Sequence, residues 1–293
     1  MEIGRLGVWS FIDALSAPET AAFARRLEEW GYSALWIPEA VGRNALVSSC
    51  WLLANTRRLI VATGIANIYA RDPMAMAAAQ LSLAEQSGGR FLLGLGVSHA
   101  PLVEGVRGHA YSRRPVATMR EYLAAMRKLV YAAPQPTEAP KTVLAALGPK
   151  MIALGASDAD GIHPYNVTPR HTAEARALLG PEKWLCVEQA VILETDPDRA
   201  RSVARSMLRT YLPLENYRNS WLREGFTEED LAGEGSDRFI DAVIAWGDEA
   251  ALRARIQAHW DAGADHVCIQ ALNPDGSQLP DETALARLAP HGH

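Results

Sequence analysis

Along the chain, short apolar runs alternate with longer stretches in which apolar residues recur every three or four positions. The first run is Leu6-Gly7-Val8-Trp9, and Ser16-Ala17-Pro18-Glu19 after it combines a capping Ser, an early Pro and a Glu able to reach back, which together start a helix. Phe23, Leu27 and Trp30 then recur at i, i+4 and i+7, and Gly31 ends the helix just before Ala34-Leu35-Trp36-Ile37. The same grammar repeats. Leu59-Ile60-Val61-Ala62 leads to the cap and Pro start at Asp72-Pro73, a helix with Met74, Ala77, Ala78, Leu81 and Ala84 on its apolar stripe, a stop at Gly88-Gly89, and the run Phe91 to Leu95. Pro115 opens a helix with Val116, Met119, Leu123, Met126 and Val130 on one face, and a Pro-rich stretch from Pro134 to Pro140 precedes Thr142 to Ala146.

Further on, Gly148-Pro149-Lys150 starts a short helix, Gly161-Ile162-His163 is a clipped strand, and Thr168-Pro169 caps a helix that stops at Gly180-Pro181. Trp184 to Leu193 is the next strand, a long helical stretch runs from Asp196-Pro197 to Gly263, and His266 to Ile269 completes the set. Eight strands alternating with helices predict a (β/α)8 TIM barrel. A length of 293 residues leaves room for two domains, but no linker interrupts the alternation, so one barrel domain over 1–293 is expected. Two irregular segments, about 98–114 and 212–235, are expected to cover a pocket at the face where barrel strands end.

Composition narrows the chemistry. With 29 Lys+Arg against 34 Asp+Glu the net charge is -5, which argues against nucleic acid as a partner. No apolar run reaches the roughly 20 residues of a membrane span and the first residues lack the pattern of a leader, so a cytoplasmic protein without a membrane partner is expected. Cys50, Cys186 and Cys268 have no metal-binding spacing and read as buried thiols, so no metal is expected. His259 falls within a helix and His291 and His293 in the tail, away from any ligand set. The Gly94-x-Gly96 pair lacks the third Gly of a dinucleotide fingerprint.

Several segments carry a family likeness. Gly31 to Glu39, Thr63-Gly64-Ile65-Ala66-Asn67, Arg71-Asp72-Pro73, Ser87 to Gly96, Ala146 to Met151, Ala159-Asp160-Gly161, Gly247 and Ala262 to Val267 together resemble the bacterial luciferase-like monooxygenase superfamily, in its branch of F420-dependent oxidoreductases. The resemblance implies hydride transfer between the deazaflavin coenzyme F420 and a small organic substrate. FMN-dependent monooxygenation is the alternative cofactor reading, and a flavin or deazaflavin binder without turnover is a third. A homodimer is a further expectation.

Residue by residue, the resemblance implies a non-prolyl cis peptide at Gly64-Ile65, backing one face of the ring, with Ala66 and Asn67 beside it and Asn67 and Tyr69 near the substrate. Glu39 stands where relatives carry an acid near the ring's polar edge. Ala40 departs from the His that well-described sugar-phosphate dehydrogenases of the superfamily place there, so their acid-base scheme does not transfer intact. His99 matches an active-site acid by motif position, and an imidazole titrating near neutrality suits proton exchange. Gly148-Pro149-Lys150 offers a helix start and a cation to the cofactor's phosphate. His163 points toward the open face. Arg71-Asp72-Pro73 reads as architecture, with Asp72 as cap and Pro73 as helix starter.

Overall fold

A computed structural model describes residues 1–290, so His291 and His293 lie outside the described residues. The first half of the chain runs β1 (Leu6–Trp9), α1 (Ala17–Glu29), β2 (Ala34–Ile37), α2 (Ala45–Ala54), β3 (Ile60–Thr63), β4 (Ala66–Asn67), α3 (Pro73–Ser87), β5 (Phe91–Gly96), α4 (Pro115–Met126) and β6 (Lys141–Leu144). It continues with α5 (Pro149–Asp158), β7 (Gly161–Ile162), α6 (Pro169–Leu179), β8 (Trp184–Leu193), α7 (Pro197–Leu208) and α8 (Glu215–Arg223). It ends with α9 (Asp237–Val243), β9 (Ala245–Gly247), α10 (Glu249–Asp261), β10 (His266–Ala271) and α11 (Glu282–Leu288).

Strands β10, β1, β2, β3, β5, β6, β7 and β8 pair in that order, all parallel. β8 returns to β10 in register from Cys186↔His266 to Val191↔Ala271, which closes the eight strands into a TIM barrel. The two additional strands are short: β4 extends along the end of β5, and β9 along the end of β8. Outer faces of the strands pack Leu35, Val61, Leu93 and Ile269 against the helices, while the lumen is filled by Trp9, Trp36, Ala62, Leu92, Val143, Cys186 and Cys268.

Helix starts follow the sequence signals. Ser16 donates from its backbone N to Glu19 Oε2 at 2.7 Å, Asp72 Oδ1 accepts from Ala75 N at 3.0 Å, and Thr168 Oγ1 accepts from His171 N at 3.3 Å. Other expectations need correction. The stretch from 196 to 263 is four helices and a strand, because Tyr217, Trp221, Phe226 and Phe239 build a separate aromatic core there and Ala245–Gly247 is too short to show a strand period. In α3 the buried residues are Met76, Ala77, Gln80, Leu83, Ala84 and Ser87, and Met74 is 63% exposed; a helix apolar on most sides gives no unique stripe. α4 stops at Met126, so Val130 lies past the last turn and is 90% exposed. The segment 98–114 contains one π-helical turn, Pro101–Val106. Cys50 is exposed rather than buried, sharing one side of α2 with Val47 and Trp51 at i, i+3 and i+4 spacing.

At the end of β3, Thr63 Oγ1 donates to Gly94 O at 2.7 Å and accepts from Gly94 N at 2.9 Å. A Cβ on Gly94 would lie 1.9 Å from Thr63 O, so this contact requires glycine. Thr63→Val keeps the shape but strands the buried Gly94 N–H, with an expected loss of about 1–3 kcal/mol. Urea unfolding should show a lower midpoint at unchanged slope; a midpoint equal to that of the unsubstituted protein contradicts the assignment.

Candidate active site

β2 and β3 end side by side, and their extensions form one wall of the barrel mouth. The Gly64-Ile65 peptide there is cis. Gly64 N donates to Ile37 O at 2.8 Å, Trp9 Nε1 donates to Gly64 O at 3.1 Å, and Ile65 O accepts from Glu39 N at 3.2 Å. The Ile65 side chain covers Gly96, where a Cβ would stand 2.5 Å from its Cδ1. Glu39, Ile65, Asn67 and Arg71 therefore form one connected patch. Both oxygens of the buried Glu39 carboxylate are engaged: Oε2 accepts from Asn67 N at 2.9 Å and from Arg71 Nη1 at 3.0 Å, and Oε1 accepts from Arg71 Nη2. Arg71, read from the sequence as architecture, is the ionic partner that the pattern concealed. Asn67 Oδ1 accepts from Tyr69 N, and its buried Nδ2 has no protein partner.

His163 enters from β7. Its ring stacks on Trp36 with centroids 4.3 Å apart, and its Nδ1 lies 2.8 Å from Cys186 O. Burial pushes the imidazole down to about 4, so it is neutral with the proton on Nδ1 facing the carbonyl. Nε2 is then a bare acceptor, buried without a partner, and 3.1 Å from where a Cβ on Gly64 would be.

His99 follows β5 and packs against Tyr217 of α8, with ring centroids 5.6 Å apart. Burial lowers its pKa, and the neighbouring Asn216 side chain opposes that shift. The segment 212–235 thus reaches the mouth and meets the loop after β5. Rings continue inward from Tyr217 to Tyr165 at 6.5 Å and from Tyr165 to Trp9 at 5.0 Å. Among the described residues no hydrogen bond or ion pair joins His99 to Glu39.

On the opposite side, Gly148 precedes α5 without a side-chain cap, and Lys150 is exposed in the first turn. Arg223, at the end of α8, donates from Nη2 to Leu147 O at 3.3 Å and lies 3.7 Å from a Cβ position on Gly148. A helix start and a guanidinium here favour an anion. Nothing in the local sequence around Arg223 signals this, since the contact spans 75 residues between Gly148 and Arg223. Two cavities open on the same face, one of about 300 Å³ lined by Trp9, Tyr165, Tyr211 and Gln270 among others, and one of about 320 Å³ beside Ala40 and Arg71. His99, His163 and Lys150 line neither.

The family model for luciferase-like monooxygenases matches residues 5–266, and the chain belongs to that family. It is similar to a Mycobacterium tuberculosis protein named "Putative coenzyme F420-dependent oxidoreductase", 32% identical over 202 residues that cover 58% of this chain and 57% of the relative. It is also 30% identical over 118 residues to the 5,10-methylenetetrahydromethanopterin reductase of Methanolobus tindarius, covering 40% of this chain and 36% of that one. The chain thus spans just over half of the first relative's length and about a third of the second's. Among solved structures, an F420-dependent secondary alcohol dehydrogenase in complex with an F420-acetone adduct shares the fold with a TM-score of 0.76 at 15% identity, covering 92% of this chain and 93% of that one. The oxygenating constituent of 3,6-diketocamphane monooxygenase from Pseudomonas putida, in complex with FMN, has a TM-score of 0.70 at 15% identity and covers 99% of each chain.

Glu188, Glu224 and Asp281 are buried acids that were not singled out by sequence, and the first faces the lumen. Glu188 lies on the lumen side of β8, fully buried, with Oε2 accepting from Asn166 N at 3.0 Å and Oε1 unpartnered. Burial pushes its carboxyl up to about 8, so it is mostly protonated at neutral pH. A carboxyl raised from 4.5 to about 8 stabilises the fold below the lower value and loses that contribution as pH rises through the upper one. Thermal midpoints measured from pH 5 to 9 should therefore fall more steeply for the unsubstituted protein than for Glu188→Gln. Parallel curves contradict the assignment.

Proposed function

We propose that this chain is an oxidoreductase that binds coenzyme F420 at the C-terminal mouth of the barrel and passes hydride between it and a small organic substrate. The observation that carries the reading is the pair of buried unpartnered atoms near the Gly64-Ile65 segment, His163 Nε2 as acceptor and Asn67 Nδ2 as donor. They suit the mixed donor and acceptor edge of a deazaflavin or flavin ring, and the name of the relative at 32% identity supports the choice of F420. F420, when bound, supplies two-electron hydride chemistry and no oxygen activation.

The residues divide the remaining work. Gly64, Ile65, Ala66 and Asn67 form the wall against the ring, and His163 accepts a hydrogen bond at Nε2. Gly148 and Lys150, with Arg223 beside them, hold the phosphate through free backbone N–H groups and positive charge, and Pro149, which has no N–H, sets the helix start between them. His99, kept neutral by burial, takes up the proton released when a hydroxyl is oxidised and returns it in the reverse direction. Glu39 acts through Asn67 and Arg71, so we assign it to positioning rather than to proton exchange. Ala40 carries no acid-base group, which leaves His99 with that task. An FMN-dependent monooxygenase is the second reading, drawing on the FMN-bound structural neighbour.

Fluorescence titration separates the two. F420 should bind with micromolar affinity, and Arg223→Ala should weaken it roughly 10- to 100-fold, the value of a charge-assisted contact. Binding of FMN with no binding of F420 contradicts the leading reading. With a panel of secondary alcohols, ketones and enones, His99→Ala should keep cofactor affinity and lose about 100-fold or more in turnover. Cofactor binding without turnover of any panel member would instead favour a binding protein.

We also propose a homodimer that buries the exposed apolar side of α2, on which Val47 is 69% and Trp51 44% exposed. Sedimentation equilibrium should give a dimer that Val47→Glu dissociates. A monomer at micromolar concentration contradicts this.

A further inference from the structure

The cavity of about 320 Å³ between the end of β2 and the turn after β5 is lined by Glu39, Ala40, Arg43, Arg71, Val106 and Arg107, among others. Three guanidinium groups line it against one carboxylate. Arg71 is paired with Glu39, which leaves Arg43 and Arg107 uncompensated within the lining. Two further acids stand near the rim: Asp13 accepts from the backbone N of Arg43 at 2.7 Å, and Glu104 faces Arg113 at 3.9 Å.

The two arginines differ in what they have left to offer. Arg43 is anchored by the carbonyls of Ile12 and Leu15. Arg107 donates from Nη2 to Ala40 O at 2.9 Å, while its Nε is buried with no partner. A buried donor without a partner is costly, and with Nη2 engaged by Ala40 O, Nη1, which meets no protein acceptor among the described residues, is the donor left to take a carboxylate oxygen. The volume suits a small molecule or one end of a larger one.

We propose that this cavity is a carboxylate subsite read by Arg107, and that the substrates are small organic acids whose hydroxyl or carbonyl lies toward the cofactor. The substrate part rests on the hydride-transfer reading above. The cofactor's own anionic arm has the same oxyanion chemistry, so the test must separate the two sources.

Calorimetric titration of the full chain with succinate, with its uncharged diamide and with F420 does so. Succinate should bind and succinamide should not. Arg107→Ala should weaken succinate at least tenfold while F420 affinity stays at the unsubstituted value. Arg107→Lys, which keeps the charge but loses the fork, should retain an intermediate affinity and provides the comparison if the Ala variant does not fold. Absence of succinate binding, equal affinity for the diamide, or equal succinate affinity in the folded variants overturns the site. Weakening of F420 and succinate by the same factor gives the cavity to the cofactor arm and overturns the substrate assignment. Arg107-dependent succinate binding in a protein that fails to bind F420 supports the carboxylate site and removes the cofactor reading alone.

Discussion

Closing a barrel of eight strands requires its lumen to be filled, and here it is filled largely by rings whose polar edges are paired with one another or with backbone carbonyls, His163 Nε2 excepted. Trp36 Nε1 donates to His266 Nε2 at 3.0 Å, and His266 Nδ1 meets Gly4 O at 2.8 Å. Trp9 donates to Gly64 O, and His163 stacks on Trp36 while bonding to Cys186 O. Burial pushes both histidines down to about 4, so each is a neutral ring with one donor and one acceptor edge. The lumen therefore fixes where Gly64 sits, and through it the mouth.

From that fixed floor the chemistry becomes progressively more polar toward solvent. Glu39, Asn67 and Arg71 form a self-neutralising knot on one wall. Arg223 and the start of α5 stand on another, and Arg43 and Arg107 line a side cavity. A chain of net charge -5 thus places several arginines around the mouth.

The barrel was legible because each βα unit announces itself locally, through caps such as Asp72 and Thr168 and through stops such as Gly31. The eight runs read from the sequence correspond to the eight strands that close. What stayed hidden depends on tertiary partners. Arg71 looks like the prelude to a helix cap until Glu39 is folded against it, and Arg223 acquires meaning only when α8 is laid beside Leu147. Glu188 sits in an apolar strand where only closure of the barrel reveals that, among the described residues, no ion-pair partner accompanies it. Cys50 and the stripe of α3 misled for the opposite reason: on helices apolar on most sides, sequence does not distinguish core from surface.

The central claim is that the wall at Gly64-Ile65 and the anion seat at α5 together hold one cofactor. The position of the phosphate in a crystal of the chain grown with F420 tests it most directly. Phosphate oxygens should lie within hydrogen-bonding distance of the backbone at Lys150 or of Arg223, with the ring against Ile65. A phosphate located elsewhere, or a ring outside the barrel mouth, would contradict the account.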